Sequence, residues 1–246
     1  MSFNSREILS ELSRYGFEAE VVALPCTTST NDVARSMISK ESNPLIVVAD
    51  QQTKGKGSHG RSFFSPEDTG FYMTFSVPKA DPKIQMTLAA GVATVLAIDE
   101  VCHKKVGIKW VNDLIYKGKK VCGILCERLS GGTVLVGIGI NMMTPKEGFP
   151  PEIAETAAAL GSDTGLVNTL AADIYRWFMD LIENNDRILT LYKEKCITIG
   201  QTVQFTYEGV NHIGLASDVD HDGSLIIVQD GVERKYSSGE ISVRPV

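Results

Sequence analysis

This 246-residue chain lacks several features that define membrane, secreted and nucleic-acid-binding proteins. No run of about 18 apolar residues is present, so no membrane-spanning segment is expected. Its first residues include no apolar core of signal-peptide length, which predicts a cytoplasmic protein. Acidic residues outnumber basic ones, 30 to 24, and the net charge of −6 argues against a general binder of nucleic acid or anionic membranes. No helix-turn-helix pattern precedes Val21, so no DNA-reading module is expected there.

Cysteines are few and follow no pattern. The number is odd, five, and the spacing fits no disulfide framework, which favours a reducing compartment. Cys122 and Cys126 share one side of a predicted strand, with no histidine or further cysteine close by. They are therefore predicted to be small buried side chains and not a metal-binding pair.

The most informative stretch of the sequence runs from residue 45 to residue 65. Residues 45–49 are apolar and mostly branched, which predicts a buried strand. Three glycines then alternate with basic side chains: Lys54, Gly55, Lys56, Gly57, His59, Gly60 and Arg61. Such a loop is flexible without a partner, and its cations and N–H groups suit an anion. We expect it to fold over a phosphorylated or carboxylated ligand.

The same glycines formally match the dinucleotide fingerprint G-x-G-x-x-G, but the context does not fit. The fingerprint opens a helix directly after a strand, whereas Pro66 and Gly70 follow here as turn residues. The P-loop pattern ending in Gly-Lys-Ser/Thr is absent from the sequence. A Rossmann-type oxidoreductase is therefore disfavoured.

Hydrophobic periodicity predicts an α+β chain with a largely antiparallel sheet. Helices are predicted at residues 5–14, from the capping cluster 28–32 onward, at 81–101, at 151–160, and at 168–195 with a break near 184–186. Strands are predicted at 71–77 and as a meander over 106–141, with Gly118 at a hairpin tip. Short strands after residue 198 predict a small antiparallel barrel, which divides the chain into domains 1–197 and 198–246.

Six blocks of the sequence resemble one known family in order and spacing. They are STN at 29–31, QTKGKGSHGR at 52–61, SP at 65–66, KWVND at 109–113, KKVCGILCE at 119–127 and GIGIN at 137–141. Together they resemble the biotin–protein ligases, and GEIS at 239–242 resembles the family's C-terminal domain. The resemblance extends from about residue 22 onward and indicates the monofunctional type, without the N-terminal DNA-binding domain of the repressor-type members.

This resemblance implies a fold and a reaction. The fold is a mixed-sheet catalytic domain of the class II synthetase-like type, followed by an SH3-like barrel. The reaction joins biotin to ATP, with Mg²⁺, as biotinyl-5′-AMP and then acylates a lysine on a biotin carboxyl carrier domain. The carrier belongs to a biotin-dependent carboxylase, and members of the family often pair through sheet edges, so a homodimer is allowed. The sequence does not identify the carrier.

The resemblance also implies site residues. Lys120 is the expected catalytic cation, holding the biotin carboxylate and the α-phosphate, and Asp113 is a second catalytic candidate and the candidate Mg²⁺ ligand. The implied biotin-binding residues are Ser29, Thr30, Asn31, Gln52, Gly55, Lys56, Gly57, Ser58, Lys120 and Gly123. The implied nucleotide-binding residues are Lys56, Ser58, Arg61, Phe63, Asn112 and Asn141.

The glycine loop departs from the family pattern. Family loops usually contain Gly-Arg-Gly-Arg, whereas Lys56 and Ser58 stand at the two arginine positions here. Lys56 keeps the charge without the planar fork, and Ser58 has no charge, so Arg61 or His59 is the candidate donor in its place. Phe63 stands where tryptophan is common and keeps an aromatic wall for adenine.

Two alternatives to a biotin ligase remain open from the sequence. One is a lipoate–protein ligase of the same superfamily, against which the KWVND block argues. The other is a sensor that binds biotin or nucleotide without turnover, favoured only by Ser58. Pyrophosphate release with each acid separates the three.

Overall fold

The computed structural model of the protein describes residues 2–38 and 43–246 and contains two β-sheets with flanking helices. The strands are β1 (Glu20–Leu24), β2 (Leu45–Ala49), β3 (Gly70–Val77), β4 (Gly107–Lys109), β5 (Asp113–Tyr116), β6 (Lys119–Arg128), β7 (Val134–Asn141), β8 (Thr202–Tyr207), β9 (Val210–Val219), β10 (Leu225–Gln229), β11 (Val232–Tyr236) and β12 (Val243–Pro245). The helices are α1 (Ser5–Arg14), α2 (Thr30–Met37), α3 (Met86–Cys102), α4 (Pro151–Ala154), α5 (Val167–Glu183) and α6 (Asp186–Lys195).

The first sheet has seven strands in the order β1-β2-β3-β7-β6-β5-β4. β1 and β2 run parallel, whereas the other neighbouring strands are antiparallel, so the sheet is mixed. The meander over β4–β7 is confirmed, and its tightest turn places Lys117 and Gly118 at φ values of 49° and 80°. Positive φ at both turn residues is the geometry that a two-residue hairpin needs. The predicted α+β class is therefore confirmed.

The second sheet is antiparallel, with the strand order β11-β10-β9-β8-β12. Trp110 connects it to the first sheet, because its indole Nε1 donates to the Gly223 carbonyl at 3.0 Å and its backbone N donates to Thr198 Oγ1 at 2.9 Å. Trp110 was predicted to continue β4, but these bonds take it out of the strand. The domain boundary at 197/198 and the closure of this sheet into an SH3-like barrel stay predictions.

The two faces of the first sheet are used differently. Helices α3 and α5 pack on one face and form the main core, in which Phe75 contacts Phe178 with ring centroids 4.8 Å apart. Helix α2 covers part of the other face through a smaller cluster that includes Ala34 and Leu135. Because both faces are covered there, β2 and β3 are buried along their whole length. This explains the continuous apolar run at residues 45–49.

Helix α3 begins at Met86 and not at residue 81 as predicted. The Asp81 side chain accepts a hydrogen bond from the Lys83 backbone N at 2.8 Å, and the Ile84 N donates to the Asp81 carbonyl. An aspartate that bonds the backbone two residues further on stabilises a turn, and here the turn replaces the first helical turn.

Helix α4 is also shorter than predicted, because it ends at Ala154 and not near residue 160. The following residues leave the helix and pair with the start of β6. Lys120 N donates to the Thr156 carbonyl at 2.8 Å, and Ala158 N donates to the Lys120 carbonyl at 2.9 Å. The backbone of the segment after Ala154 therefore fixes the backbone of Lys120 from the side.

The five cysteines are all free thiols, as expected. Cys122 is buried as predicted, whereas Cys126 is only half-buried. Desolvation raises the pKa of the Cys126 thiol to about 12, so both behave as small apolar side chains at neutral pH. Among the described residues, no helix is both long enough and apolar enough to cross a membrane.

Candidate active site

A cleft opens on the α2 face of the first sheet, beside the helix N-terminus. Its lining includes the predicted residues Ser29, Thr30, Asn31, Gln52, Lys56, Gly57, Ser58, Phe63, Asn112, Lys120 and Gly123. It also includes Met73, Ile124, Leu125, Gly137, Ile138 and Gly139, which sequence reasoning did not single out as site residues. Lys120 and Gly57 thus line one shared cavity. Gly55, Arg61, Asp113 and Asn141 lie outside this lining.

A bulge in β6 directs Lys120 into the cleft. Ile115 of β5 pairs with Lys120, but the next residue, Leu114, pairs with Cys122, so β6 carries one extra residue at Val121. Side chains alternate between the faces of a strand, and an extra residue reverses the alternation. Val121 is fully buried as a result, whereas Lys120 shares the cleft face with Gly123.

Lys120 forms an ion pair with Asp113, with Nζ 2.6 Å from Oδ1. The two side chains keep 36% and 25% of their surface exposed, so a ligand can reach the ammonium group. The strands bring them together, because Asp113 pairs with Gly123 across β5 and β6. The pair places one cation and one anion side by side at the same end of the cleft.

Lys109 is a further charged residue at this end, and sequence reasoning did not select it. It pairs with Asp113 across β4 and β5. Burial lowers the pKa of Lys109, the charges of Lys120, Arg244 and Arg61 lower it further, and Asp113 partly opposes the change. A lysine among other cations binds an anion readily, because the anion relieves their mutual repulsion.

Neutral hydrogen-bonding groups occupy the other end of the cleft, at the start of α2. Ser29 is the N-cap residue and forms no side-chain capping bond, although it is buried. Gln52 Oε1 accepts from the Thr30 backbone N at 2.8 Å and lies 3.1 Å from Thr30 Oγ1. Gln52 Nε2 donates to Ser65 Oγ at 3.0 Å, which links the two ends of the glycine loop.

The Asn31 side chain is held entirely by protein groups. Its Nδ2 donates to Glu127 Oε2 at 2.7 Å, and its Oδ1 accepts from Thr74 Oγ1 at 2.6 Å. The amide rests against bare backbone, since a Cβ on Gly137 would lie 2.3 Å from Asn31 Oδ1. Asn31 was predicted to bind biotin, a role that stays untested, and its amide orients neighbouring groups in this structure.

The glycine loop lies over the cleft and is tied at several points. Lys56 forms an ion pair with Asp32 of α2. Gly57 N donates to the Arg61 carbonyl at 2.8 Å, and the Arg61 guanidinium donates to Ser58 O and Oγ, each at 3.2 Å. Arg61 therefore contacts Ser58, the residue whose missing charge it was expected to replace. The other candidate for that role, the His59 side chain, lies outside the described part of the structure.

Phe63 packs onto a floor of glycines. A Cβ on Gly139 would lie 2.6 Å from the Phe63 ring, and one on Gly123 would lie 3.2 Å from it. These two glycines pair with each other across β6 and β7. Side chains at these positions would fill the space, so the alternating glycines of GIGIN are what opens the cleft. That alternation was the available signal for the missed floor residues.

Two predicted polar residues bond to the backbone. Asn112 lines the cleft, and its Nδ2 donates to the Ile124 carbonyl at 2.7 Å. Asn141 Nδ2 donates to the Ala158 carbonyl at 3.0 Å, where it holds the segment that fixes Lys120. The nucleotide contacts predicted for both residues stay predictions.

A magnesium ion at the charged end of the cleft would meet the carboxylate of Asp113. Among the described residues, no group of three or more His, Cys, Asp or Glu side chains is placed to hold a metal. Asp113 is the acidic side chain that pairs with Lys120 at the cleft. Mg²⁺ is often held by one or two carboxylates together with substrate phosphates, so the residues present fit an ion that arrives with a nucleotide.

Comparison with known proteins identifies relatives along the whole chain. The profile of the Biotin/lipoate A/B protein ligase family matches residues 23–142, and the profile of the biotin protein ligase C-terminal domain matches residues 198–244. The bifunctional ligase/repressor BirA of Escherichia coli is 28% identical over 98% of this chain and 78% of its own length. The biotin–[acetyl-CoA-carboxylase] ligase of Mycobacterium tuberculosis is 25% identical over 91% of this chain and 88% of its own.

Solved structures show the same architecture. Biotin protein ligase from Aquifex aeolicus in complex with biotin and ATP superposes with a TM-score of 0.77 at 26% identity, over 93% of this chain and 99% of that one. Biotin protein ligase from Leishmania major in complex with biotinyl-5-AMP gives a TM-score of 0.63 over 90% and 99% of the two chains, at 24% identity. The second likeness concerns the fold alone.

Proposed function

Because this chain belongs to the biotin protein ligase family, we propose that it activates biotin with ATP to biotinyl-5′-AMP and transfers the biotinyl group to a lysine of a carboxylase carrier domain. The observation that carries the proposal is the two-ended cleft. Lys120 stands at one end, neutral hydrogen-bonding groups stand at the other, and a basic glycine loop lies above both. This arrangement suits an acid with a neutral polar head.

In the first step, a biotin carboxylate oxygen attacks the α-phosphorus of ATP, and pyrophosphate leaves with the electron pair of the broken P–O bond. Two anions must approach each other, which is unfavourable without a cation between them. Lys120 Nζ is that cation, and Lys109 and Arg61 add positive charge nearby. A donor aimed at developing charge typically contributes a factor of about 10²–10³ to the rate.

Asp113 is the group that would hold a magnesium ion carried in by ATP, and such an ion neutralises charge on the departing pyrophosphate. Asp113 also holds the Lys120 ammonium group in place through their ion pair. Fixing the cation before the substrates bind reduces the reorganisation needed in the transition state.

In the second step, the amine of the carrier lysine attacks the acyl carbon of the adenylate, and AMP leaves. The attacking nitrogen must lose a proton as the amide forms. Asp113 is our candidate for the proton acceptor, because its carboxylate lies beside Lys120, where the mixed anhydride forms. The carrier is the one macromolecular partner that the reaction requires, and a homodimer through sheet edges stays a separate prediction.

The neutral end of the cleft holds the ureido ring of biotin. Ser29, Thr30 and Gln52 supply uncharged hydrogen-bonding atoms there, and a neutral ring gains little from a buried charge. The glycine loop closes over the reactive mixed anhydride and keeps water from it. Lys56, Gly57 and Ser58 are the loop residues at the cleft.

The test follows pyrophosphate release from the purified protein with ATP, Mg²⁺ and either biotin or lipoate, and then the mass of an added carrier domain. We expect release with biotin and a gain of one biotinyl group on the carrier. Release with lipoate alone would assign the second ligase activity of the superfamily. Binding of biotin without release would identify a sensor and reject the enzyme.

A further inference from the structure

A chain of hydrogen bonds runs from the surface to the neutral end of the cleft. It begins at Glu127 on β6, passes through Asn31 of α2 and Thr74 of β3, and ends at Thr30 and Gln52. Thr74 is fully buried, and Asn31 and Thr30 are nearly so. Glu127 and Thr74 do not line the cleft. The chain therefore connects two residues outside the cleft lining, Glu127 and Thr74, to three that line it.

We propose that Glu127, acting through Asn31 and Thr74, draws the Thr30 hydroxyl hydrogen away from the cleft, so that the site accepts N–H donors from its ligand. Glu127 and Thr74 would then be positioning residues that determine specificity. This inference rests on the proposed function, because it concerns which part of the acid is recognised.

The direction of each bond follows from what each atom can do. An ionised carboxylate only accepts, so Asn31 must turn its NH₂ group to Glu127, at 2.7 Å, and its carbonyl oxygen to Thr74. An amide oxygen also only accepts, so the single hydrogen of the Thr74 hydroxyl goes to Asn31 Oδ1, at 2.6 Å. Thr74 Oγ1 then has only lone pairs left for Thr30.

The two protein atoms next to the Thr30 hydroxyl, Thr74 Oγ1 and Gln52 Oε1, can then only accept a hydrogen bond from it. Thr30 Oγ1 lies 2.8 Å from Thr74 Oγ1 and 3.1 Å from Gln52 Oε1, so its one hydrogen is used within the protein. The lone pairs of Thr30 Oγ1 remain for the cleft. When the hydrogen goes to Thr74, Gln52 Oε1 also keeps a lone pair, since its other bond comes from the Thr30 backbone N at 2.8 Å.

Two convergent acceptors select a ligand with N–H donors. The ureido ring of biotin has two N–H groups, whereas the dithiolane ring of lipoate has none. A site whose buried polar atoms are left unpaired by the wrong ligand discriminates strongly against it. The hydrogen-bond chain thus gives a physical reason for preferring biotin that does not depend on the size of either ring.

A purely structural role for the chain is the competing explanation. Arg35 of α2 also bonds Glu127, with NH2 2.7 Å from Oε1, so the same carboxylate anchors the helix to the sheet. Arg35→Gln removes this anchor while leaving the carboxylate that faces Asn31. It is therefore the matched control for Glu127→Gln, which keeps the size of the side chain but can donate as well as accept. Thr74→Val is the second test variant, because it removes the hydroxyl and nearly keeps the shape.

The experiment measures binding by calorimetry without ATP, using biotin and the two cyclic carbamates in which one ureido N–H is replaced by oxygen. In the wild type, we expect the carbamate whose oxygen faces Thr30 to bind at least about tenfold more weakly than biotin. In Glu127→Gln and Thr74→Val, the affinity for biotin should fall by about three- to tenfold and the affinity for the carbamate by less. The ratio of the biotin affinity to the carbamate affinity should therefore fall at least about threefold. Arg35→Gln should change the ratio by less than about twofold.

Turnover separates the possible outcomes. In the two test variants, the KM for biotin should rise while kcat changes little, since Lys120 is untouched. An unchanged affinity ratio in both variants, with normal biotin turnover by the wild type, overturns this inference and leaves the proposed function standing. An equal fall in the ratio for Arg35→Gln also overturns it, because that result requires only helix anchoring. A wild type that neither binds nor activates biotin overturns both proposals.

Discussion

Replacing Lys120 by methionine tests the centre of the proposed mechanism. The change removes the ammonium group and nearly keeps the length of the side chain. Loss of a donor that stabilises developing charge costs about 10²–10³ in rate, or roughly 2.7–4 kcal/mol. We therefore expect kcat for pyrophosphate release to fall at least about 100-fold.

The fold should survive this change. The Lys120–Asp113 pair keeps 36% and 25% of its side-chain surface exposed, and pairs in contact with solvent contribute at most about 1 kcal/mol. In a chain of this size, that amount lowers the melting temperature by about 2–4 °C. Removing the lysine leaves Asp113 without this ion pair, beside the position proposed for the biotin carboxylate. Asp113→Asn in the same variant should therefore recover part of the biotin affinity but not the rate.

The assay compares single-turnover adenylate formation with the melting temperature, and the matched control is Lys119→Met. Lys119 precedes Lys120 in β6 but does not line the cleft, and its Nζ donates to the Ala154 carbonyl at 3.3 Å. That variant should keep kcat within about twofold. A Lys120→Met protein with a rate within about threefold of the wild type would refute the role of the ammonium group.

Three further predictions concern the floor, the core and the charged end of the cleft. Gly139→Ala places a Cβ about 2.6 Å from the Phe63 ring, so the ring must shift. Because this ring is the expected wall for adenine, the Kd for ATP measured by calorimetry should rise, and an unchanged Kd would contradict the role of the glycine floor. Gly91→Ala in α3 meets its nearest atom at 3.5 Å and should raise the unfolding free energy by about 0.5–1 kcal/mol in urea melts, whereas a decrease would indicate overpacking. Burial lowers the pKa of Lys109, so the residue loses its charge at a lower pH than an ordinary lysine does; the KM for ATP should increase as pH rises through that pKa, and Lys109→Arg should remove the increase. Identical pH profiles for the two proteins would exclude Lys109 from phosphate binding.

The sequence predicted the antiparallel meander well because its information is local. Alternating apolar residues define each strand, and the glycine at 118 fixes the hairpin with a φ of 80°. The break between α5 and α6 was likewise predicted from residues 184–186, and the structure has Asn184 and Asn185 between the two helices. These features depend on neighbours in the chain, which a sequence displays directly.

Helix ends were predicted less well because distant residues decide them. Nothing near residue 156 indicates that its carbonyl will accept from Lys120 N, some 36 residues earlier, yet this bond ends α4 early. The position of Lys120 depends on a bulge at Val121 that has no glycine to mark it. Sequence blocks therefore identified the lysine, but only the strand register explains why it faces the cleft.

Glu127 shows a different limit of sequence reasoning. It lies inside a recognised block, at the end of KKVCGILCE, but an acidic residue on a strand is usually a solvated surface residue. Its importance depends on Asn31, which is 96 positions away in the chain. Pairs at such separation become visible only when the sheet and helix α2 are assembled.

The glycines of the cleft also explain why the site and the core can share strands. Each glycine inside a strand costs roughly 0.5–1 kcal/mol relative to alanine, so Gly123, Gly137 and Gly139 together weaken the sheet. The protein recovers part of this loss with its own groups, because the Asn31 amide rests on Gly137 and the Phe63 ring on Gly139. The Asn31 amide is held by its hydrogen bond to Glu127, and the Phe63 ring is held by packing. The opposite face of the same strands is covered by α3 and α5. A ligand that enters over Gly139 therefore meets the Phe63 ring, whereas the core packing on the opposite face of these strands is unaffected.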